Sequence, residues 1–175
     1  NWFSGTNLED SAVLASKATA IYSNTKDLSL KERLDSFSFN SLLIDKEPVG
    51  QIYLAGPFFT FSERWLVNEV WNTFKSMGLK IFSPFHDVGH GQAKDVVSKD
   101  LEGLDKSEIV FAIIDGLDSG TLFEVGYAIC KKKKVIAFVQ NEGEESLKML
   151  EGTNCIIERD LTTAIYKLYW ELAKE

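Results

Sequence analysis

The chain has 175 residues, 45% of them hydrophobic, which is enough for one domain of ordinary size with a real core. Its formal net charge is -7, which argues against a general nucleic-acid binder or a protein of acidic membrane surfaces, since both want a basic face. A small, neutral, base-containing ligand stays open, and no run reaches the roughly 18 apolar residues that cross a bilayer.

Residues 1–48 differ in pattern from the rest of the chain. Leu8, Val13, Leu14, Ala18 and Ile21 recur at near-helical spacing and predict a helix over 7–24. Ser29 and Glu32 stand in capping-box spacing and predict a second, short helix. "SFNSLLIDKEPVG" then reads as a linker ending at Pro48 and Gly50. The implied division is an N-terminal helical extension, 1–48, and one domain, 49–175.

From Gln51 strands and helices alternate. "QIYLA" (51–55) predicts a short strand, and Thr60 and Glu63 form a capping box. Leu66, Val70, Phe74 and Met77 share a helical face that Gly78 ends. "KIFSP" (80–84) is the second strand, and 94–106 is helical with Val97, Leu101 and Leu104 on one side. "EIVFAII" (108–114) is apolar throughout, as a strand covered on both faces should be. Ser119 can cap a helix running to Cys130. "KVIAFV" (134–139) and "NCIIE" (154–158) are strands four and five, and 161–173 closes with an amphipathic helix. Such alternation implies an α/β fold, a parallel sheet with helices on both faces. Ligands then bind at the carboxyl ends of the strands, in the loops 56–62, 84–94 and 115–123.

Cys130 and Cys155 show neither CxxC nor zinc-ligand spacing and read as reduced, buried thiols of a cytoplasmic protein. No signal peptide is recognised, and a start at Asn1 rather than Met is expected of a piece of a longer product. "CKKKK" ends a helix, where cations suit the dipole.

The three loops carry the candidate chemistry. Gly56 and Pro57 make a turn, and Phe58 and Phe59 offer flat apolar faces or pack in the core. No G-x-G-x-x-G is present, which argues against a dinucleotide cofactor, and no cofactor is expected. His86, Asp87 and His90 lie in a glycine-punctuated loop. H-x-x-x-H could begin a metal site, but no further ligand cluster completes the three or four needed, so no metal is expected. Ligand contact or a solvated loop remain. Asp100 lies on the helix before strand three, either solvated or functional. The stretch "DGLDSGTLFEVGYA" places Asp115, Asp118 and Glu124 where a buried strand ends. Acidic residues there could simply cap the helix. A carboxylate near a helix N-terminus is also kept ionised by the dipole, as a nucleophile must be. Two carboxyls, one ionised and one from another element, are the minimum for displacement at a sugar carbon.

"IYLAGPFF", "KDLEGLDKSEIVFAII" and "DSGTLFEVGYA" together resemble the nucleoside 2-deoxyribosyltransferase family, over about residues 51–170. The resemblance implies a flavodoxin-like, Rossmann-like sheet of five parallel strands and transfer of 2-deoxyribose between nucleobases with retention. It makes Glu124 the nucleophile, with Tyr53 orienting it, Asp100 exchanging a proton with the base and Asp118 holding sugar hydroxyls. Phe58, Phe59 and Phe85 would sandwich the base, and the loop holding His86 and Asp87 would line its pocket. Gly56, Pro57 and Gly120 complete the candidate substrate contacts. A neighbouring subunit often supplies an asparagine to the sugar site in this family. Ser146 falls nearest to it here, and a homo-oligomer, a dimer or a multiple of dimers, is expected. The partners implied are a deoxynucleoside and a free nucleobase, with no nucleic acid or membrane.

Asp118 would repel a phosphate and so favours a nucleoside, while Ser62 and Arg64 could hold one. Hydrolysis of the N-glycosidic bond of a deoxynucleoside or its monophosphate is the alternative, and a noncatalytic nucleoside-sensing module is a third. "GTNLEDSAVLASKATAIYSN" faintly resembles the late helix of ribokinase-like sugar kinases, which would make it a fusion remnant rather than a packing arm.

Overall fold

The computed structural model describes residues 7–25, 34, 47–89 and 91–173. The chain divides into two compact units, Asn1–Leu43 and Ile44–Glu175. The first contains helix α1 (Leu8–Thr25), where sequence spacing predicts one. Asn7 opens it, its side-chain oxygen accepting the Asp10 N–H at 2.8 Å. The helix predicted around Ser29 and most of the linker lie outside the described residues.

The second unit is a five-stranded, wholly parallel sheet in the order β2-β1-β3-β4-β5. That is the flavodoxin-like order, with its switch point between β1 and β3. The strands are β1 (Gln51–Ala55), β2 (Lys80–Phe82), β3 (Ile109–Ile113), β4 (Lys134–Phe138) and β5 (Ile156–Glu158). The helices are α2 (Phe61–Ser76), α3 (Ala93–Lys106), α4 (Ser119–Cys130), α5 (Glu144–Glu151) and α6 (Leu161–Ala173).

Strand alternation sorts the core into two layers. Ile52, Leu54, Phe111 and Phe138 pack with Val67, Val70 and Phe74 of α2 and Leu168 of α6. Tyr53, Ala55, Val110, Ala112 and Ala137 pack on the other face, with Leu104 of α3 and Val125 and Ala128 of α4. On that second face Ala55 pairs in register with Ala112, and Ala112 with Ala137. A row of methyl groups thus crosses three adjacent strands near their carboxyl ends, under the layer that carries α4.

The Thr60/Glu63 capping box forms as its spacing predicts, with both reciprocal bonds in place. Several expectations are corrected. β2 ends at Phe82, and Pro84–Val88 forms a single π-helical turn rather than an irregular loop. Asp118, not Ser119, is the N-cap of α4; Ser119 is the first helical residue. Sequence spacing does not predict α5. It has only eight residues, no side-chain cap and two buried positions, Leu147 and Leu150, too few to mark a period. Cys130 is exposed rather than buried, at the end of α4, and Cys155 is half-buried; both are free.

Candidate active site

Tyr53 is fully buried in the middle of β1, facing the α3/α4 layer. Its hydroxyl donates to Glu124 Oε1 at 2.7 Å. Burial first, and the neighbouring Glu124 charge second, hold the phenol far above its ordinary range, so it stays a neutral donor. Glu124 projects from the second turn of α4. Burial pushes its carboxyl up to about 7; the Tyr53 bond works against that rise, and the charges of Asp100 and Asp118 add to it.

Asp100 comes from the neighbouring helix of the same layer, α3. It is half-buried, burial raises its pKa, and its charge is felt at both Tyr53 and Glu124. Its Oδ1 is buried and has no hydrogen-bond partner among the described residues. A carboxyl oxygen held this way is costly unless something else bonds it. This site is the place where a proton or a ligand N–H would satisfy it.

Asp118 is fixed by its own helix. Oδ2 accepts from the Thr121 N–H at 2.8 Å and the Thr121 hydroxyl at 3.0 Å. Gly120 allows this closeness, since a Cβ there would stand 3.1 Å from the same oxygen. Leu117, at φ +50°, makes the turn just before it. Asp115 belongs to the scaffold. Its carboxylate accepts from the backbone N–H groups of Gln140 and Asn141 at 2.8–3.0 Å and ties the loop after β3 to the loop after β4. That answers for one of the three acids clustered in this stretch.

The loops after β1 and β2 supply aromatic faces. Phe58 stacks on Phe59 at 5.2 Å and tilts against Phe85 at 5.3 Å. Phe59 is 65% exposed, whereas Pro57 is buried. A side chain at Gly56 would crowd Ile113 and Val67, so its role is close packing over the sheet. Asp87 accepts the Ser83 N–H at 2.8 Å and so closes its own turn. His86 is half-buried and bonded to Ser83 and Asn68. His90 lies outside the described residues, and among those described no group of three or more His, Cys, Asp or Glu could hold a metal. Ser146 is exposed in the first turn of α5. Arg64 donates to the Phe59 carbonyl and Ser62 shares a bond with Thr60, so both serve the start of α2.

Sequence reasoning missed Thr121, Asn68 and Trp71. Thr121 could have been found as the N3 partner of an Asp cap. Asn68 and Trp71 carry no local signal, because the turn they hold lies beyond the end of α2 and the whole of β2.

Residues 52–160 match the family described as nucleoside 2-deoxyribosyltransferase. The chain belongs to that family. Among solved structures, the 2-deoxyribosyltransferase of Bacillus psychrosaccharolyticus is 26% identical, over 66% of this chain and 90% of that one, with a TM-score of 0.58. A 2-deoxyribosyltransferase from Leishmania mexicana (20% identical, 69% of this chain and 97% of that one, TM-score 0.54) shares the fold. So does a CMP N-glycosidase from Clostridium botulinum, 16% identical over 67% of this chain and 97% of that one, with a TM-score of 0.52. An uncharacterised protein of Ureaplasma parvum serovar 3 is 30% identical over 99 residues. The match spans 49% of this chain and 63% of that protein's length. No helix among the described residues is long and apolar enough to cross a membrane.

Proposed function

We propose that the chain transfers 2-deoxyribose from one nucleobase to another by double displacement on Glu124. The observation that carries this reading is the 2.7 Å bond from the buried Tyr53 hydroxyl to Glu124 Oε1, with the unpartnered carboxyl oxygen of Asp100 in the same charge cluster. The bond occupies Oε1 and leaves Oε2 for attack. Oε2 adds to C1′ as the C1′–N bond breaks, and the electron pair leaves with the base nitrogen. Asp100 supplies the proton that makes the base a competent leaving group. An arriving base then attacks C1′, gives its proton to Asp100 and releases Glu124. Two inversions restore the original configuration.

Asp118 favours a nucleoside over its monophosphate. Its carboxylate fills the N-terminus of α4 and accepts the Thr121 donors, so the seat a phosphate would use already holds a negative group. Ser62 and Arg64 are engaged at the start of α2. The proposed partners are a deoxynucleoside, a free nucleobase and a second copy of the chain.

One chromatographic assay tests the reading. The protein is mixed with 2-deoxyinosine, with and without adenine or cytosine, and with deoxynucleoside monophosphates in parallel. A new deoxynucleoside that appears only with the second base, and is lost in Glu124→Ala, is the expected result. Free base and sugar alone would make the protein a hydrolase, and turnover in Glu124→Ala would remove the nucleophile from the scheme.

A further inference from the structure

His86 follows Phe85 in the turn after β2, where a side chain would be expected to meet the base. Both of its ring nitrogens face the protein instead. Nε2 lies 2.8 Å from Asn68 Oδ1 and Nδ1 lies 3.0 Å from Ser83 Oγ. An amide oxygen only accepts, so Nε2 carries the hydrogen and Nδ1 accepts from the serine hydroxyl. The ring lies flat on Trp71, at 4.5 Å and 13°. Phe85 meets it edge-on at 4.8 Å and 71°. Asn68 and Trp71 sit one turn apart on α2, so one imidazole fastens that helix to the π-helical turn Pro84–Val88. Within the turn, the N-cap Ser83 makes no side-chain cap bond, and Asp87 Oδ2, accepting the Ser83 N–H, closes it locally.

We infer that His86 is a positioning residue which, with Asn68 and Trp71, sets the turn so that Phe85 and Phe58 present a flat face to the nucleobase, without bonding the base itself. This rests on the base-transfer reading. One consequence is that the base meets aromatic faces on this side, and neither a donor nor an acceptor from this imidazole.

The test compares the whole wild-type chain with His86→Ala, His86→Gln, Asn68→Ala and the His86→Ala/Asn68→Ala pair. Calorimetry measures binding of free adenine and hypoxanthine, steady-state transfer gives KM and kcat, and nitrogen-edited NMR reads the His86 tautomer. Removing either partner of the clasp should weaken base binding about tenfold, as the loss of one hydrogen bond would. The acceptor KM should rise with it, while kcat stays within about twofold. The double variant should lose no more than the worse single one, because the two act as a unit. His86→Gln, which can still donate to Asn68, should recover part of the affinity, and it carries the test if His86→Ala fails to fold. The wild-type ring should keep its Nε2–H tautomer when base is added.

Wild-type affinity in His86→Ala, additive losses in the pair, a fall in kcat at constant KM, or a tautomer change on adding base would each overturn the inference. A folded wild-type chain that binds no base defeats the transfer reading as well. Base binding that is normal in wild type and unchanged in the variants defeats only the role of His86.

Discussion

Glu124 and Asp100 are linked through charge, and the link sets the pH response. Asp100's negative charge helps hold the Glu124 carboxyl at about 7, so removing it should lower that value. Asp100→Asn should therefore move the acid limb of the kcat/KM profile toward lower pH. It should also slow departure of the base by roughly 10²–10⁴-fold, the usual worth of a positioned acid. A slower enzyme with an unmoved limb would separate the two carboxyls. Glu124 also weakens the fold that carries it. Its pKa is raised from 4.5 to about 7, so its contribution to stability is full below about pH 4.5 and is lost as pH rises through 7. Glu124→Gln removes the titration and keeps an oxygen for Tyr53. Thermal unfolding should show the variant equal to wild type at pH 4 and more stable at pH 8, by on the order of 3 kcal/mol. Equal stability at pH 8 would mean that the carboxylate is not desolvated in the folded chain.

At the scale of elements, the alanine row decides how near α4 comes to the sheet. Ala55, Ala112 and Ala137 are all fully buried, in register, beneath the layer that holds Glu124. Ala112→Val adds two methyl groups where the core is closed and should cost about 1–3 kcal/mol in denaturant unfolding. It should also cut transfer, because Glu124 would move off Tyr53. Ile113→Val is the control. It faces the α2/α6 layer, should cost about 0.5–1.5 kcal/mol and should leave transfer intact. Equal activity losses in the two variants would remove any special role for the row. The row also shows what sequence reading could not reach. Each strand was legible from its own apolar run, and the Thr60/Glu63 capping box fixed where α2 begins. That three alanines align is a property of register, which no single strand contains. The same holds for His86, whose partners Asn68 and Trp71 lie on a helix that precedes it by a whole strand. The catalytic candidates were legible because D-x-G-T-x-x-E packs a cap and a second-turn carboxylate into one local motif.

For the whole molecule, the second unit contains all five strands and both helical layers. Among the described residues, those that build its two core layers run from Ile52 to Leu172. The site follows the same boundary: Tyr53, Asp100, Asp118 and Glu124 all lie within Ile44–Glu175. A unit with its own core can fold without an outside segment. A chain of residues 44–175 should therefore unfold cooperatively, with a midpoint close to that of the full chain, and should transfer deoxyribose at a rate within about twofold of it. Denaturant unfolding and the base-exchange assay measure the two properties separately. A truncated chain that folds but only hydrolyses the donor would assign to the first unit the exclusion of water that transfer requires. A truncated chain that no longer folds would show that the first unit belongs to the same cooperative structure, whatever the chemistry.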